Sequence, residues 1–381
     1  MGPHRTDSNI RRAGLVVVTG ATGLLGGEVV RRWAGERSMP RIAVLVRDVA
    51  RWEGAALRLG IERGRVLPIL ADVAEEGLGI ARDVRVRLAH ETTAIVHLAA
   101  DTTFSRPLVQ SRRVNRDGTA HLLAFAAECA RLEHFAFVST AFVSGRRMGT
   151  VPETPAGAAD ETVGWVNAYE RSKAEAESLV RAARRDWVIL RSSTVACDDA
   201  SGVVTQRNGV HQALRLFHDG LAAMIPGLPE SALDVVPADY VADAIARLAL
   251  DGRVHGDTIH LCAGAGAMPL DAVLDACRAC WSGDAAWLRR GIAIPALADL
   301  ETWALFTGAV EDTGDPRLRR VTRALSHFLP QLALPKRFET GRADALLGAP
   351  APAVRDYWSR MITHLRDTGW RGVAGLAEVA A

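Results

Sequence analysis

Tyr169 and Lys173 stand four residues apart in the segment GWVNAYERSKAEAESLV, in a 381-residue chain that holds only three tyrosines and two lysines, Lys173 and Lys336. On a helix this spacing puts both side chains on one face. A phenol with an ordinary pKa of about 10 is a poor acid or base at neutral pH, and a neighbouring ammonium favours the phenolate and lowers that value. The pair is expected to pass a proton to or from a carbinol oxygen while a hydride moves on the same carbon; an amphipathic surface helix is the plainer alternative. Upstream, Ser139 and Thr140 end the run FVST, and a hydroxyl at the carboxyl end of a central strand points into the ligand crevice. Thr140, which follows the apolar run, is expected to donate a hydrogen bond to the substrate oxygen, against a plain capping role.

A second cluster reads as a dinucleotide site. After the run LVVVT comes GATGLLGG, with Gly20, Gly23 and Gly26 in front of a helical pattern. Glycine at these points allows a tight turn, close approach of the backbone to a pyrophosphate and close helix–sheet packing. The helix start offers free N–H groups and a positive dipole end. Gly20, Thr22, Gly23, Leu24, Leu25 and Gly26 are therefore expected to hold the phosphates. The end of the second strand reads Val46-Arg47-Asp48. Arg47 there favours NADP, by pairing with the 2′-phosphate, whereas Asp48 speaks for NAD. At the end of the third strand Asp72, followed by Val73, is placed to accept a hydrogen bond from the adenine amino group or to cap a helix.

These residues need a particular scaffold. Apolar runs at 15–20, 41–47, 65–72, 94–100, 135–141 and 186–192 alternate with helical patterns at 24–36, 50–60, 79–90, 109–132 and 165–185. That rhythm predicts an α/β fold, a doubly wound parallel sheet of Rossmann type buried on both faces. A late run at 258–264 rejoins it. The expected domains are 14–200, with 234–264 rejoining, for NADP binding, and 201–233 with 265–381 as a smaller, mostly helical substrate lobe. No pattern stands out between 280 and 335, GAPAPA at 348–353 looks linker-like, and Lys336 is expected at the surface.

Composition excludes several classes. Lys and Arg total 46 against 44 Asp and Glu, a net charge of +2, so bulk charge gives no field for nucleic acid or anionic membrane. No run of about 18 apolar residues occurs. The start MGPHRTDSNIRR lacks the apolar core of a signal peptide, and its weak match to an N-myristoylation pattern through Gly2 and Thr6 reads as chance. Five dispersed cysteines point to a reducing, cytoplasmic setting, with Cys277-x-x-Cys280 a chance pair on a helix and no metal expected.

TGATGLLG, HLAA at 97–100, Asn115 in VNRDGT, VSTAFV and YERSK together resemble the extended short-chain dehydrogenase/reductase superfamily over residues 14 to 265. LADVAEEGLGI (70–80), AADTTF (99–104), NAYERSK, ILRSSTV (189–195) and DVVPADYVADAI (234–245) are similar to its thioester-reductase and fatty-acyl-reductase branch. Ala71, Ser192 and Cys197 depart from the Gly, Pro and Gly common there. The resemblance implies that Thr140, Tyr169 and Lys173 form a catalytic triad, that Lys173 also binds the nicotinamide ribose, that Asn115 supports the site, and that Ala99 and Ala100 line the cofactor. It further implies NADPH reducing an acyl thioester to an aldehyde, with a second reduction to the alcohol open. The alternatives are a carbonyl reductase, a nucleotide-sugar epimerase or dehydratase, and a non-catalytic sensor. Ala141 and Phe142 follow Thr140 where dehydratases resemble Thr-Asp-Glu, and sensors commonly lose the Tyr or Lys. With no Asp-Ser-Leu attachment motif, the acyl group is expected on CoA or on a separate carrier protein. Arg112-Arg113, Arg146-Arg147 and Arg184-Arg185 could meet an acidic carrier, although solvated faces are the plainer explanation.

Overall fold

The apolar runs become the strands β1 (Leu15–Thr19), β2 (Arg41–Val46), β3 (Val66–Leu70), β4 (Thr92–His97), β5 (His134–Thr140), β6 (Trp187–Ser192) and β7 (Thr258–Leu261) in a computed structural model that describes residues 14–183 and 186–371. Gly2, Thr6, Arg184 and Arg185 lie outside the described residues. The strands form one sheet in the order β7-β6-β5-β4-β1-β2-β3, and the pairs from β3 across to β6 are parallel. All of β1 and β6 is buried, as a parallel sheet with both faces covered requires. The expected double burial does not hold for β3. It is an edge strand with Leu67 and Leu70 49% and 64% exposed, which is where Pro68, lacking a ladder N–H, is tolerated.

Helices α1 (Leu24–Gly35), α2 (Val49–Arg58), α3 (Arg82–Glu91), α4 (Leu108–Arg112), α5 (Gly118–Glu128) and α6 (Ala168–Ala183) connect these strands. The pattern at 109–132 is not one regular helix: Arg113–Asp117, between α4 and α5, is a π turn, a local widening common at functional sites. On α6 the buried residues include Lys173, Ala176, Glu177 and Val180, a single face at helical period that carries two charges into the interior. Strand order reverses between β1 and β4, which opens the crevice where such sheets bind ligands.

The chain divides into two compact units: residues through Val143 with Ala168–Ser192 and Val241–Ile259, and Ser144–Asn167 with Ser193–Tyr240 and the residues from His260. Residues 144–167 and 193–200, inside the span 14–200 read from sequence as the nucleotide-binding domain, belong to the second unit. That unit carries four two-stranded ladders and the helices Gly209–His218, Leu270–Trp281, Leu300–Thr313, Pro316–Ser326 and Val354–Asp367. The region without a recognised pattern is helical, and its helix starts carry N-cap signals. The Asp284 carboxylate accepts from Ala286 and Trp287 N–H, Asp299 from Thr302, and Asp315 from Arg317 and Leu318, which satisfies donors that a helix start leaves open. Lys336 is not a plain surface residue. Half-buried, its Nζ donates to the Gly145 carbonyl and, at 2.7 Å, to Gln331 Oε1. Among the described residues no helix is long and apolar enough to cross a membrane.

Candidate active site

The glycine turn begins where β1 ends. Gly20 has φ +74°, and a Cβ there would lie 2.7 Å from the Ala99 nitrogen; one on Gly26 would lie 2.3 Å from the Gly20 oxygen. Both positions exclude any side chain, which leaves a bare backbone cradle. Gly23 N–H closes the turn on the Gly20 carbonyl at 2.9 Å. Gly23 is also the N-cap of α1, so the first helix N–H groups, those of Leu24 and Leu25, have no side-chain cap. This arrangement fits a dinucleotide pyrophosphate. Ala99 and Ala100 follow β4, and Ala99 N–H donates to Thr19 Oγ1 at 3.1 Å.

Arg47 is exposed directly after β2. Asp48, the residue that argued for NAD, is the N-cap of α2 and accepts from Arg51 N–H at 3.0 Å. Asp72 does not cap a helix. Its carboxylate accepts from Ala74 N–H at 2.9 Å, an Asx-type turn that leaves its second oxygen for other partners. Val73 is buried and packs where a Cβ on Gly118 would come within 3.1 Å of it.

Thr140, Tyr169 and Lys173 all belong to the first unit. Thr140 ends β5 at 5% exposure, and its hydroxyl is hydrogen-bonded to the Tyr169 side chain. The Tyr169 ring lies 5.4 Å from that of Phe104. Lys173 is 2% exposed; its Nζ donates to the Val138 carbonyl at 2.8 Å and sits 3.9 Å above the Phe137 ring centroid. Burial pushes the Lys173 ammonium down to about 7, against the pull of the Glu177 carboxylate. The phenol does not follow the sequence expectation. Burial, reinforced by the Glu170 carboxylate, pushes Tyr169 well above its ordinary value, and the Thr140 hydrogen bond opposes this only in part. Exclusion of water is the largest influence on the phenol, and the expected lowering by a neighbouring ammonium does not overcome it.

Asn115 sits in the π turn. Its Oδ1 accepts from Asp101 N–H at 2.8 Å, and its Nδ2 donates to the Asp101 carbonyl at 3.0 Å and to Ser172 Oγ at 2.9 Å. Ser172 Oγ in turn donates to the Tyr169 carbonyl at 2.9 Å, so Asn115 braces the α6 turn that carries the phenol. His97, quoted in a motif but given no role from sequence, extends this bracing to β1. Thr119 Oγ1 spends its proton on the Asn115 carbonyl at 2.6 Å, so the 3.0 Å contact from His97 must carry a hydrogen on Nε2. Nδ1 then accepts from Thr19 Oγ1 at 2.7 Å. That neutral tautomer agrees with burial, and next the Lys173 charge, pushing His97 down to about 3. The alternation of hydroxyls and one imidazole at strand ends is the signal that could have found it. The arginine clusters are engaged locally: Arg112 with Glu175 and Arg113 with Glu75, and Arg147 with the Ala158 carbonyl.

Residues 18–245 match the family described as male sterility protein, an NAD-binding family. The chain belongs to that family. Within it, a relative from Arabidopsis thaliana, chloroplastic fatty acyl-CoA reductase 2, is 24% identical over 248 residues, covering 51% of this chain and 40% of the relative. The chain thus spans less than half the length of that curated relative. Among solved structures, the terminal R domain from the myxalamid PKS-NRPS biosynthetic pathway superposes with a TM-score of 0.73 at 22% identity, covering 96% of this chain and 93% of that one. A UDP-glucuronic acid 4-epimerase from Bacillus cereus, in complex with NAD, superposes at 0.63 with 16% identity over 94% of this chain and 100% of that one. The fold of the male sterility protein family is therefore shared with epimerases, and fold alone does not select a reaction. Family membership puts the chain in the extended short-chain dehydrogenase/reductase superfamily.

Proposed function

We propose that this chain reduces an acyl thioester, presented on CoA or a carrier protein, to an aldehyde with NADPH. The observation that carries the reading is the hydrogen-bonded pair Thr140 and Tyr169, with the phenol held above its ordinary pKa. A phenol in that state is a donor at neutral pH, which suits reduction, where negative charge develops on the carbonyl oxygen. NADPH, when bound, supplies the hydride. Thr140 and Tyr169 stabilise the oxyanion, Tyr169 supplies the proton where the oxygen needs one, and collapse of the hemithioacetal releases aldehyde and thiol. Lys173 holds a positive charge behind the phenol and would bind the nicotinamide ribose. Gly20, Thr22, Gly23, Leu24, Leu25 and Gly26 would cradle the pyrophosphate, Asp72 and Val73 would meet the adenine, and Ala99 and Ala100 would line the pocket. The choice of thioester is supported by the fatty acyl-CoA reductase name of the Arabidopsis relative, and Ala141 and Phe142 after Thr140 leave no acid there for water elimination.

Purified protein given NADPH and a panel of acyl-CoA and carrier-bound thioesters is expected to oxidise NADPH and release free thiol. No reaction with the panel, with turnover of a sugar nucleotide or a simple ketone, overturns the thioester reading. NADP over NAD is supported by exposed Arg47 and by the engagement of Asp48 in capping α2. Arg47→Asp is expected to shift kcat/KM preference towards NADH by about tenfold or more, the worth of a charged hydrogen bond; an unchanged ratio shows that Arg47 does not read the 2′-phosphate.

A further inference from the structure

One helical turn beyond Lys173, Glu177 is buried at 0% exposure, and so is its partner Arg191 on β6. The pair is a fork: Arg191 Nε donates to Glu177 Oε1 at 2.9 Å and Nη2 to Oε2 at 2.8 Å. Arg181 Nη2 adds a third bond to Oε2 at 2.6 Å. Apolar residues of similar volume fill such a space at least as well as a buried ion pair, so packing does not account for a charge at this place. What is particular about the place is its neighbour, the ammonium of Lys173, which shares the buried face of α6.

We propose that Glu177, locked in place by Arg191, is a positioning residue for the site: a fixed buried anion that keeps Lys173 charged inside the fold. The proposal rests on the reading of Lys173 as the site's ammonium. Burial alone drives Lys173 towards the neutral amine, and Glu177 is what opposes it. For Glu177 itself burial disfavours charge, but the charge and hydrogen bonds of Arg191, with the charge of Arg181, hold it at about 2. The other titratable groups around Lys173 do not replace it. His97 on β4 is neutral, Tyr169 on α6 is a protonated phenol and Glu170 acts on that phenol, and Arg191 and Arg181 are themselves cations. The geometry therefore arranges Arg191, Glu177 and Lys173 as alternating charges from β6 to the site.

The scarcity of lysine makes a direct test possible. With only Lys173 and Lys336 in the chain, protein labelled with 13C at lysine Cε gives two side-chain resonances, and their pH titrations are read without cofactor or substrate. In Glu177→Gln the ammonium loses its anion and releases its proton more readily, so the Lys173 midpoint is expected to fall by about one pH unit or more, while Lys336, in the second unit, keeps its value. An unmoved or raised Lys173 midpoint overturns the proposal, because a residue that only packs leaves it in place. Should Glu177→Gln fail to fold, Glu177→Gln with Arg191→Met removes both buried charges. A lowered midpoint in that protein supports the proposal, and one equal to the wild type's overturns it. The measurement needs no turnover, so an inert thioester panel would end the thioester reading and leave this result standing.

Discussion

Tyr169→Phe is expected to lower kcat for thioester reduction by about 10²- to 10⁴-fold, the usual contribution of a positioned proton donor, and to leave NADPH binding nearly unchanged. The substitution removes one oxygen and keeps the ring. Contact with the Phe104 ring and the Ser172 bond to the Tyr169 carbonyl both survive, so α6 and the turn bracing it stay as they are. What goes is the phenol hydroxyl that pairs with Thr140, one of the two groups proposed to stabilise the oxyanion. Steady-state rates with a saturating thioester, together with NADPH fluorescence titration, separate the two effects. A variant that reduces at the wild-type rate ends the triad assignment, and one that fails to bind NADPH points to a structural fault.

Arg191→Leu is expected to destabilise the protein by about 3 kcal/mol, the lower end of the cost of breaking a buried pair, because Glu177 loses two of its three arginine hydrogen bonds and keeps only that of Arg181. Both side chains are at 0% exposure, so water cannot replace the lost partner. Adding Glu177→Gln is expected to restore most of the stability, since an apolar side chain and a neutral amide carry no unpaired charge. Urea unfolding at neutral pH measures both. The pair also sets a pH signature. Glu177 is lowered from 4.5 to about 2 in the fold, so its contribution is complete above about 4.5 and lost as pH falls towards 2. In Arg191→Leu that acid-dependent loss should shrink, with Arg181 left to hold the carboxylate charged. A single variant as stable as the wild type would mean that the Arg181 bond to Oε2 is enough to hold Glu177.

Much of this architecture could be read from residue order. Strong periodicity placed the strands and most helices to within a few residues, because a strand buried on both faces and a helix with one buried face leave local marks in the chain. Gly20, Gly23 and Gly26 were recognisable because steric exclusion acts over a few residues: the Gly26 position is closed by Gly20 itself. The i, i+4 relation of Tyr169 and Lys173 is equally local. The π turn was missed because VNRDGT has an ordinary helical composition, and its widening is paid for by bonds from Asn115 to Asp101 and Ser172, 14 and 57 residues away. Of the two readings of Asp72 at a strand end, adenine acceptor or helix cap, the cap falls because the chain turns there and Ala74 N–H takes the carboxylate.

Sequence alone determined which chemistry is available: a phenol, an ammonium and a hydroxyl at strand and helix positions that converge, and a glycine turn in front of a helix start. Tertiary structure decided the state of those groups. The Tyr169 phenol moves up and not down, Lys173 moves towards neutrality, and His97 is a neutral spacer between two threonines. Arg191 turns out to hold Glu177 across from α6. The reason is that spacing along a chain reports which groups can meet, while a group's charge depends on how much water is excluded around it and on which partners from distant segments face it.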